Sequence, residues 1–271
     1  MPLTSKAAFD LQGHRGARGH APENTLPGFE RALAFGVTTF ELDVGVSRDG
    51  VVVIHHDRRL NPDLARGPEG RWVAAPAPLV RSLDFDELQR YDVGRLRPGS
   101  DYAHRFPHQQ PIDGARIPAL SELFERHRAG TVRFNIEMKL LAEAPDETLP
   151  PEPFVRAVLD VVRGAGMEPR CTLQSFDWRA VKAVEREAPG IATAYLTERE
   201  DSDPRNVAAA GGRTWSPDFR TLDEASAAAA QALGLRVIPW TVNEPADIQR
   251  MLELGVDGII SDYPDRVREA L

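Results

Sequence analysis

Residues 13–57 gather His14, Arg15, Glu41, Asp43, His56 and Asp57 into one stretch of chain. Cleaving a phosphodiester requires two proton transfers, one from the attacking hydroxyl and one to the departing alkoxide, and a pair of histidines can supply both. Glu41 and Asp43 stand two residues apart, so in an extended segment their carboxylates point the same way. Glu137 and Lys139 repeat that spacing. Three carboxylates brought together repel one another unless a cation sits among them, and an all-oxygen ligand set favours Mg²⁺ or Ca²⁺ over zinc. The spacing leaves a second reading open, in which Glu41 and Asp43 form salt bridges at a rim. Arg15 by a two-point contact and Lys139 as a point charge could each hold a phosphate oxygen, or else serve as counter-ions to the same carboxylates. Trp240 could wall a pocket or pack beneath a loop. His20, His55, His104, His108 and His127 read as structural. A metal-assisted phosphate ester site is the chemistry these residue types suggest.

Separate elements must deliver these side chains to one place. Phe9 to Gly13 reads as a strand ending at His14; Asn24-Thr25 can cap a helix in which Leu26, Phe29, Leu33 and Ala34 recur at helical spacing up to Gly36. Thr38 to Val46 is a β-branched and aromatic strand with Glu41, Asp43 and Gly45 on one face. Arg48-Asp49-Gly50 turns the chain into Val51 to His55, a hairpin-like extension ending at His56-Asp57. Further strands are expected at Val132 to Met138, Cys171 to Ser175, Ile191 to Leu196, Thr214-Trp215, Val237 to Thr241 and Gly258 to Ser261. The helices between and after them are Leu120 to Ala129, Pro153 to Gly164, Trp178 to Ala188, Pro204 to Ala210, Leu222 to Leu233, Pro245 to Leu254 and Pro264 to Ala270.

About eight strand-helix units around one core describe an α/β fold of the TIM (β/α)8 barrel type, whose active site lies at the C-terminal ends of the strands. Polar residues accumulate at those ends: His14-Arg15, Glu41, Asp43, Glu137, Lys139, Gln174-Ser175, Trp240, Asn243 and Asp262. An open doubly wound sheet usually has fewer units and a glycine-rich phosphate loop, to which Gly16-Ala17-Arg18-Gly19 is a poor match. From about residue 58 to 117 periodicity dissolves, with only Leu83 to Tyr91 looking helical. So long a stretch predicts a small insertion subdomain or lid after the second strand, within one domain spanning 1–271.

Hydrophobic content of 42% and charged content of 27% fit an ordinary folded core in a chain of 271 residues. The net charge of −8, with basic residues scattered, is not the footprint of a nucleic-acid binder. Cys171, the one cysteine, reads as a buried apolar residue. No apolar run approaches the roughly 18 residues of a membrane span. Met1 to Asp10 lacks the basic start and apolar stretch of a signal peptide, so the sequence as it stands reads as cytoplasmic; a removed leader would place it in the periplasm or outside.

Taken together, the motifs resemble the glycerophosphodiester phosphodiesterases. The resemblance rests on His14-Arg15-Gly16, Glu23-Asn24-Thr25, Glu41-Leu42-Asp43-Val44, Asp49-Gly50 and His56-Asp57. It continues through Glu137-Met138-Lys139, Gln174-Ser175-Phe176, Trp240-Thr241-Val242-Asn243 and the run from Gly255 to Pro264. It implies one divalent cation, Mg²⁺ or Ca²⁺, on Glu41, Asp43 and Glu137, His14 and His56 as the acid/base pair, and phosphate contacts from Arg15 and Lys139. Gln174 and Trp240 fall at matching positions and are expected to line the substrate site. The implied reaction is hydrolysis of a small glycerophosphodiester, such as glycerophosphocholine or glycerophosphoethanolamine, to glycerol 3-phosphate and an alcohol. Many members follow His-Asp with a leucine and then Arg-Thr, whereas this chain has Leu60-Asn61-Pro62-Asp63, so the alcohol preference does not carry over.

Two alternatives remain at this stage. One is a lysophospholipase D-type enzyme on the same barrel, with release through a cyclic phosphate as one route; it needs an acyl channel, for which Trp72, Val73, Leu79, Val80 and Phe106 are available unless they form the insertion's own core. The other is a phosphodiester-binding protein without activity.

Overall fold

The computed structural model describes residues 8–199 and 202–271. Residues 1–7, which carry most of the stretch compared with a signal peptide, lie outside them. The strands are β1 (Asp10–Gly13), β2 (Thr39–Val46), β3 (Val52–Ile54), β4 (Arg133–Met138), β5 (Cys171–Ser175), β6 (Ala192–Thr197), β7 (Thr214–Pro217), β8 (Arg236–Val237) and β9 (Gly258–Ser261). Eight of them pair in the order β8-β7-β6-β5-β4-β2-β1-β9, all parallel, while β3 folds back antiparallel on β2. This is a nearly closed parallel barrel of the TIM type.

Its seam lies between β8 and β9, and Pro239 explains it. Val237 turns its N–H to the Asp257 carboxylate at 2.8 Å, and Pro239 has no N–H to offer, so the two donors that would face β9 are both lost to the ladder. The expected strand Val237 to Thr241 is therefore cut to Arg236–Val237. Three backbone bonds still cross the seam: Asp257 N to Val237 O at 2.9 Å, and Ile260 N to Pro239 O and Val242 N to Ile260 O at 3.0 Å each.

The helices are α1 (Leu26–Ala34), α2 (Phe85–Leu88), α3 (Asp101–Arg105), α4 (Leu120–Arg126), α5 (Pro151–Ala165), α6 (Trp178–Glu187), α7 (Pro204–Ala209), α8 (Glu224–Ala232), α9 (Pro245–Glu253) and α10 (Pro264–Ala270). Local chemistry sets their ends. The Thr25 hydroxyl accepts from Gly28 N at 3.1 Å to cap α1, and α5 stops at Gly166 in the left-handed conformation. In α5, Phe154, Val155, Val158, Leu159 and Val162 are buried at helical spacing.

Alternation along the strands separates two environments. On β2 and β4, Phe40, Leu42, Val44, Phe134, Ile136 and Met138 join helix residues such as Phe29, Phe124 and Phe154 in the main core. The alternate residues are polar and are linked inside the barrel. Gln12 donates to Asp10 at 3.0 Å, and Asn135 donates to Gln12 at 2.8 Å and to Gln174 at 3.0 Å. At the base, buried Asp10 accepts from Thr39 at 2.6 Å and lies 2.9 Å from the Arg133 guanidinium. Removing that carboxylate leaves several donors without an acceptor. Asp10→Ala is expected to destabilise the protein by about 1.5–3 kcal/mol, read as a lower urea midpoint at unchanged slope.

Between β3 and α4 the chain builds a second, smaller cluster from Val53, Leu60, Ala65, Val80, Leu88, Val93 and Ile117. The helical expectation for Leu83 to Tyr91 corresponds to the shorter α2. Val73 and Val80 pack in this cluster, Trp72 lies beside the Arg66 guanidinium, and the Phe106 ring sits 4.6 Å from that of Arg18. Cys171 is buried, and burial pushes its thiol up to about 12. No helix among the described residues is long and apolar enough to cross a membrane.

Candidate active site

Register assembles the carboxylates. β2 and β4 pair with Asp43 opposite Glu137, and both strands turn these side chains into the barrel mouth. One oxygen from each of Glu41, Asp43 and Glu137 lies within 4.8 Å of the others, and all three residues are buried. Lys139 Nζ sits 2.6 Å from Glu137 and 3.0 Å from Asp43, while Arg15 Nε is 3.2 Å from Asp43. Asn24 adds a 2.8 Å hydrogen bond to Asp43. Burial would raise Asp43, but Lys139 and Arg15 overcome it and hold this carboxyl well below its usual range.

Glu41 is treated differently. It accepts from Arg15 N at 3.0 Å and from Gln174 Nε2 at 3.1 Å, both neutral donors. Among the described residues the one basic side chain within 4.0 Å is His14, at 3.9 Å. Burial, with Asp43 and Glu137 alongside, pushes the Glu41 carboxyl well above its usual range, and burial also raises Glu137. The cluster therefore holds a buried carboxylate without a charge partner, and a cation would relieve it. The donor set is all oxygen, which fits a hard divalent ion.

The two histidines are oriented alike. His14 Nδ1 lies 2.7 Å from Asp262, and His56 Nδ1 lies 2.7 Å from Asp57, whose other oxygen accepts from Asn61 at 2.7 Å. In each neutral ring the carboxylate draws the proton to Nδ1 and leaves Nε2 as the available base. Burial and Arg18 lower His14 to about 4 against the pull of Asp262; burial, Arg15 and Lys139 lower His56 to about 4. Both values fall below the ordinary 6.5, so the unfolded chain binds more protons than the folded one across that interval. The stability these groups contribute is present above pH 6.5 and is lost as pH falls from 6.5 towards 4. In the metal-free protein both imidazoles are expected to stay neutral at pH 6, with ring-proton NMR shifts moving only near pH 4.

Arg15 occupies the left-handed region at φ 51°, which turns its N–H towards Glu41. The next residue must be glycine: Gly16 has φ 89°, and a Cβ there would come within 2.8 Å of the Gly28 carbonyl carbon. The Arg15 guanidinium also donates to Glu23 at 2.8 Å. Glu23 accepts in addition from the Tyr102 hydroxyl of α3, which receives a 3.0 Å bond from Arg18; Arg18 in turn grips Asp262 at 2.7 Å. Glu23, Arg18, Tyr102, Asp262 and Asn24 thus support the site from behind, and residue types and spacing had not singled them out as site residues. Asp262 was visible in the sequence as a polar residue at the end of the last strand, but nothing there gave it a role.

A cavity of about 360 Å³ opens over this cluster, bordered by His14, Arg15, Glu41, His56, Glu137, Lys139, Gln174 and Trp240, with Arg105 from α3 at its edge. All nine residues singled out from the sequence meet there: these eight and, beneath them in contact with Lys139, Asp43. Gln174 places its amide on Glu41 and Asn135. Trp240 donates to Ser216 O at 3.0 Å and meets the Phe176 ring edge-on at 5.3 Å. Trp72, Val73, Leu79, Val80 and Phe106 do not border the cavity.

The model of the glycerophosphoryl diester phosphodiesterase family matches residues 14–266. The chain belongs to the glycerophosphoryl diester phosphodiesterase family. It is 30% identical over 263 residues to a glycerophosphodiester phosphodiesterase of Bacillus altitudinis, covering 93% of this chain and 94% of the relative. The crystal structure of a Silicibacter pomeroyi protein that carries the same family name superposes with a TM-score of 0.91 at 38% identity, over 96% of this chain and 92% of the other. An Oleispira antarctica phosphodiesterase, solved with its product sn-glycerol-3-phosphate, shares the fold at a TM-score of 0.75 and 24% identity, over 96% and 95% of the two chains. Like its relatives in the family, the chain is an enzyme that hydrolyses glycerophosphodiesters.

Proposed function

We propose that the chain converts a small glycerophosphodiester to glycerol 3-phosphate and a free alcohol, with one divalent cation, Mg²⁺ or Ca²⁺, held by Glu41, Asp43 and Glu137. The observation that carries this reading is the buried triad in which Glu41 lacks a charge partner, set between two histidines whose Nε2 atoms are left available. The cation, when bound, would polarise the phosphoryl group and stabilise charge developing on its oxygens. Arg15 and Lys139 position the phosphate, and Gln174 keeps the Glu41 carboxylate aimed at the mouth. His14 and His56 carry the two proton transfers, with Asp262 and Asp57 fixing ring orientation and stabilising whichever imidazole is charged. Trp240 walls the side of the cavity towards β7 and β8. The chain acts as one domain, with residues 58–117 as an inserted subdomain whose α3 braces Glu23 and Arg18 through Tyr102. The bound product described for the Oleispira antarctica phosphodiesterase supports the choice of glycerol 3-phosphate as product.

The test is the product formed from glycerophosphocholine, followed by ³¹P NMR in water enriched in ¹⁸O. One ¹⁸O atom on the phosphate of glycerol 3-phosphate, with no cyclic species during turnover, is the expected result. Accumulation of a cyclic phosphate would overturn direct hydrolysis.

A further inference from the structure

Three amide side chains link two carboxylates through the interior of the barrel. Asp10 stands at the base on β1 and Glu41 near the mouth on β2, and Gln12 of β1, Asn135 of β4 and Gln174 of β5 lie between them, all buried. Strand register sets the levels: Asn135 is paired with Glu41, and Gln174 is paired with Glu137, two residues nearer the mouth.

The two ends dictate the directions of every bond in this chain. An ionised carboxylate only accepts, so each end demands an N–H from the amide beside it. Gln12 Nε2 donates to Asp10 at 3.0 Å, which leaves Gln12 Oε1 for Asn135. Gln174 Nε2 donates to Glu41 at 3.1 Å, which leaves Gln174 Oε1 for Asn135 from the other side. Asn135 therefore faces two acceptors, and it meets both with one group. Its Nδ2 donates to Gln12 at 2.8 Å and to Gln174 at 3.0 Å, using both hydrogens, while its Oδ1 is buried and meets no donor among the described residues. Turning this amide over would set an oxygen against two oxygens, so its orientation is forced. A buried acceptor without a donor costs stability, and here that cost follows from serving two carboxylates through a single amide.

Resting on the reading of Glu41 as a cation ligand, we infer that Asn135 is a positioning residue for the cation site, although it does not border the cavity and makes no hydrogen bond to Glu41. The two N–H groups of one amide lie at a fixed angle in one plane, so Gln12 and Gln174 together hold Asn135 in a single rotamer. That rotamer anchors Gln174 Oε1, and the anchored Gln174 holds one Glu41 oxygen while Arg15 N holds the other at 3.0 Å. Without the anchor, Gln174 swings on its own side-chain torsions and the cation must order the Glu41 carboxylate itself. Leucine matches the branching of asparagine but has no N–H, and serine has only one; the position needs an amide.

The test is calorimetric titration of the metal-free chain with Mg²⁺ and with Ca²⁺. Asn135→Leu is expected to bind the cation about tenfold more weakly than wild type, the scale of a residue that orients a ligand. Gln12→Met also deletes a buried amide from the barrel interior, but on the Asp10 arm, and is expected to stay within about twofold of wild type. In a Gln174→Met background the Asn135 substitution is expected to have no further effect on affinity, because the side chain it acts through is gone. Unchanged affinity in Asn135→Leu, equal weakening by Asn135→Leu and Gln12→Met, or additive effects of Asn135→Leu and Gln174→Met would each overturn the inference. Should Asn135→Leu fail to fold, wild type labelled with ¹⁵N-asparagine still decides. Both Asn135 Nδ2 protons are expected to be protected from solvent exchange and to shift when the cation is added, and a pair that exchanges freely or ignores the cation would overturn the inference. Wild type that binds neither ion would overturn the cation reading and this inference with it.

Discussion

Replacing His14 or His56 with alanine is expected to lower kcat by on the order of 10²- to 10⁴-fold, the usual scale of positioned acid-base assistance. Each ring is fixed by one carboxylate at 2.7 Å and has its other nitrogen free for the substrate. Neither can replace the other, because they arrive on separate elements, His14 after β1 and His56 after β3. On the proposed roles, losing one leaves either the attacking water without a base or the departing alkoxide without an acid. The effect should therefore appear in kcat, with KM changed little, in a steady-state assay of glycerol 3-phosphate release. Near-wild-type turnover in either variant would remove that histidine from the mechanism.

Glu41→Gln separates catalysis from stability in opposite directions. Glutamine removes the charge and keeps the side chain's shape and its acceptor for Arg15 N, while its NH2 replaces the oxygen that accepts from Gln174, so that one neutral contact is lost. Metal affinity is expected to fall by more than about a hundredfold, since even residues that only support a ligand are worth 10–100-fold. Activity should fall with it. The metal-free variant, however, is expected to be more stable than wild type at pH 7. Folding raises the Glu41 pKa, so the ionised side chain opposes folding above its unfolded pKa, and neutralising it removes that penalty. Calorimetric titration with Mg²⁺ or Ca²⁺ and urea unfolding with chelator present read the two effects. A variant that loses stability and keeps its metal would contradict the account of Glu41.

Much of this arrangement was legible from residue spacing, for a physical reason. Two-residue alternation on β2 and β4 sends Phe40, Leu42, Phe134 and Ile136 to the helices and Glu41, Asp43, Asn135 and Glu137 inward, so sequence periodicity exposed both the barrel and its carboxylates. Pro239 carried a signal as well, since a proline within an apparent strand marks lost ladder bonds, and it accounts for the shortened β8. What spacing could not reveal lies in contacts between distant segments. Asp262 reaches His14 across 248 residues because β9 pairs with β1, and Tyr102 reaches Glu23 across 79. Helix α3, with five residues and none buried, has no apolar stripe to announce it. It serves the site through the Tyr102 hydroxyl and through Arg105 at the cavity's edge.

The most direct test of the central claim is release of glycerol 3-phosphate from glycerophosphocholine and glycerophosphoethanolamine by the purified chain, measured as isolated, after exhaustive chelation, and after Mg²⁺ or Ca²⁺ is restored. Loss of release on chelation and recovery with one of these ions is the predicted result. Release that persists undiminished without metal would contradict the assignment of Glu41, Asp43 and Glu137, and no release under either ion would contradict the proposed substrate.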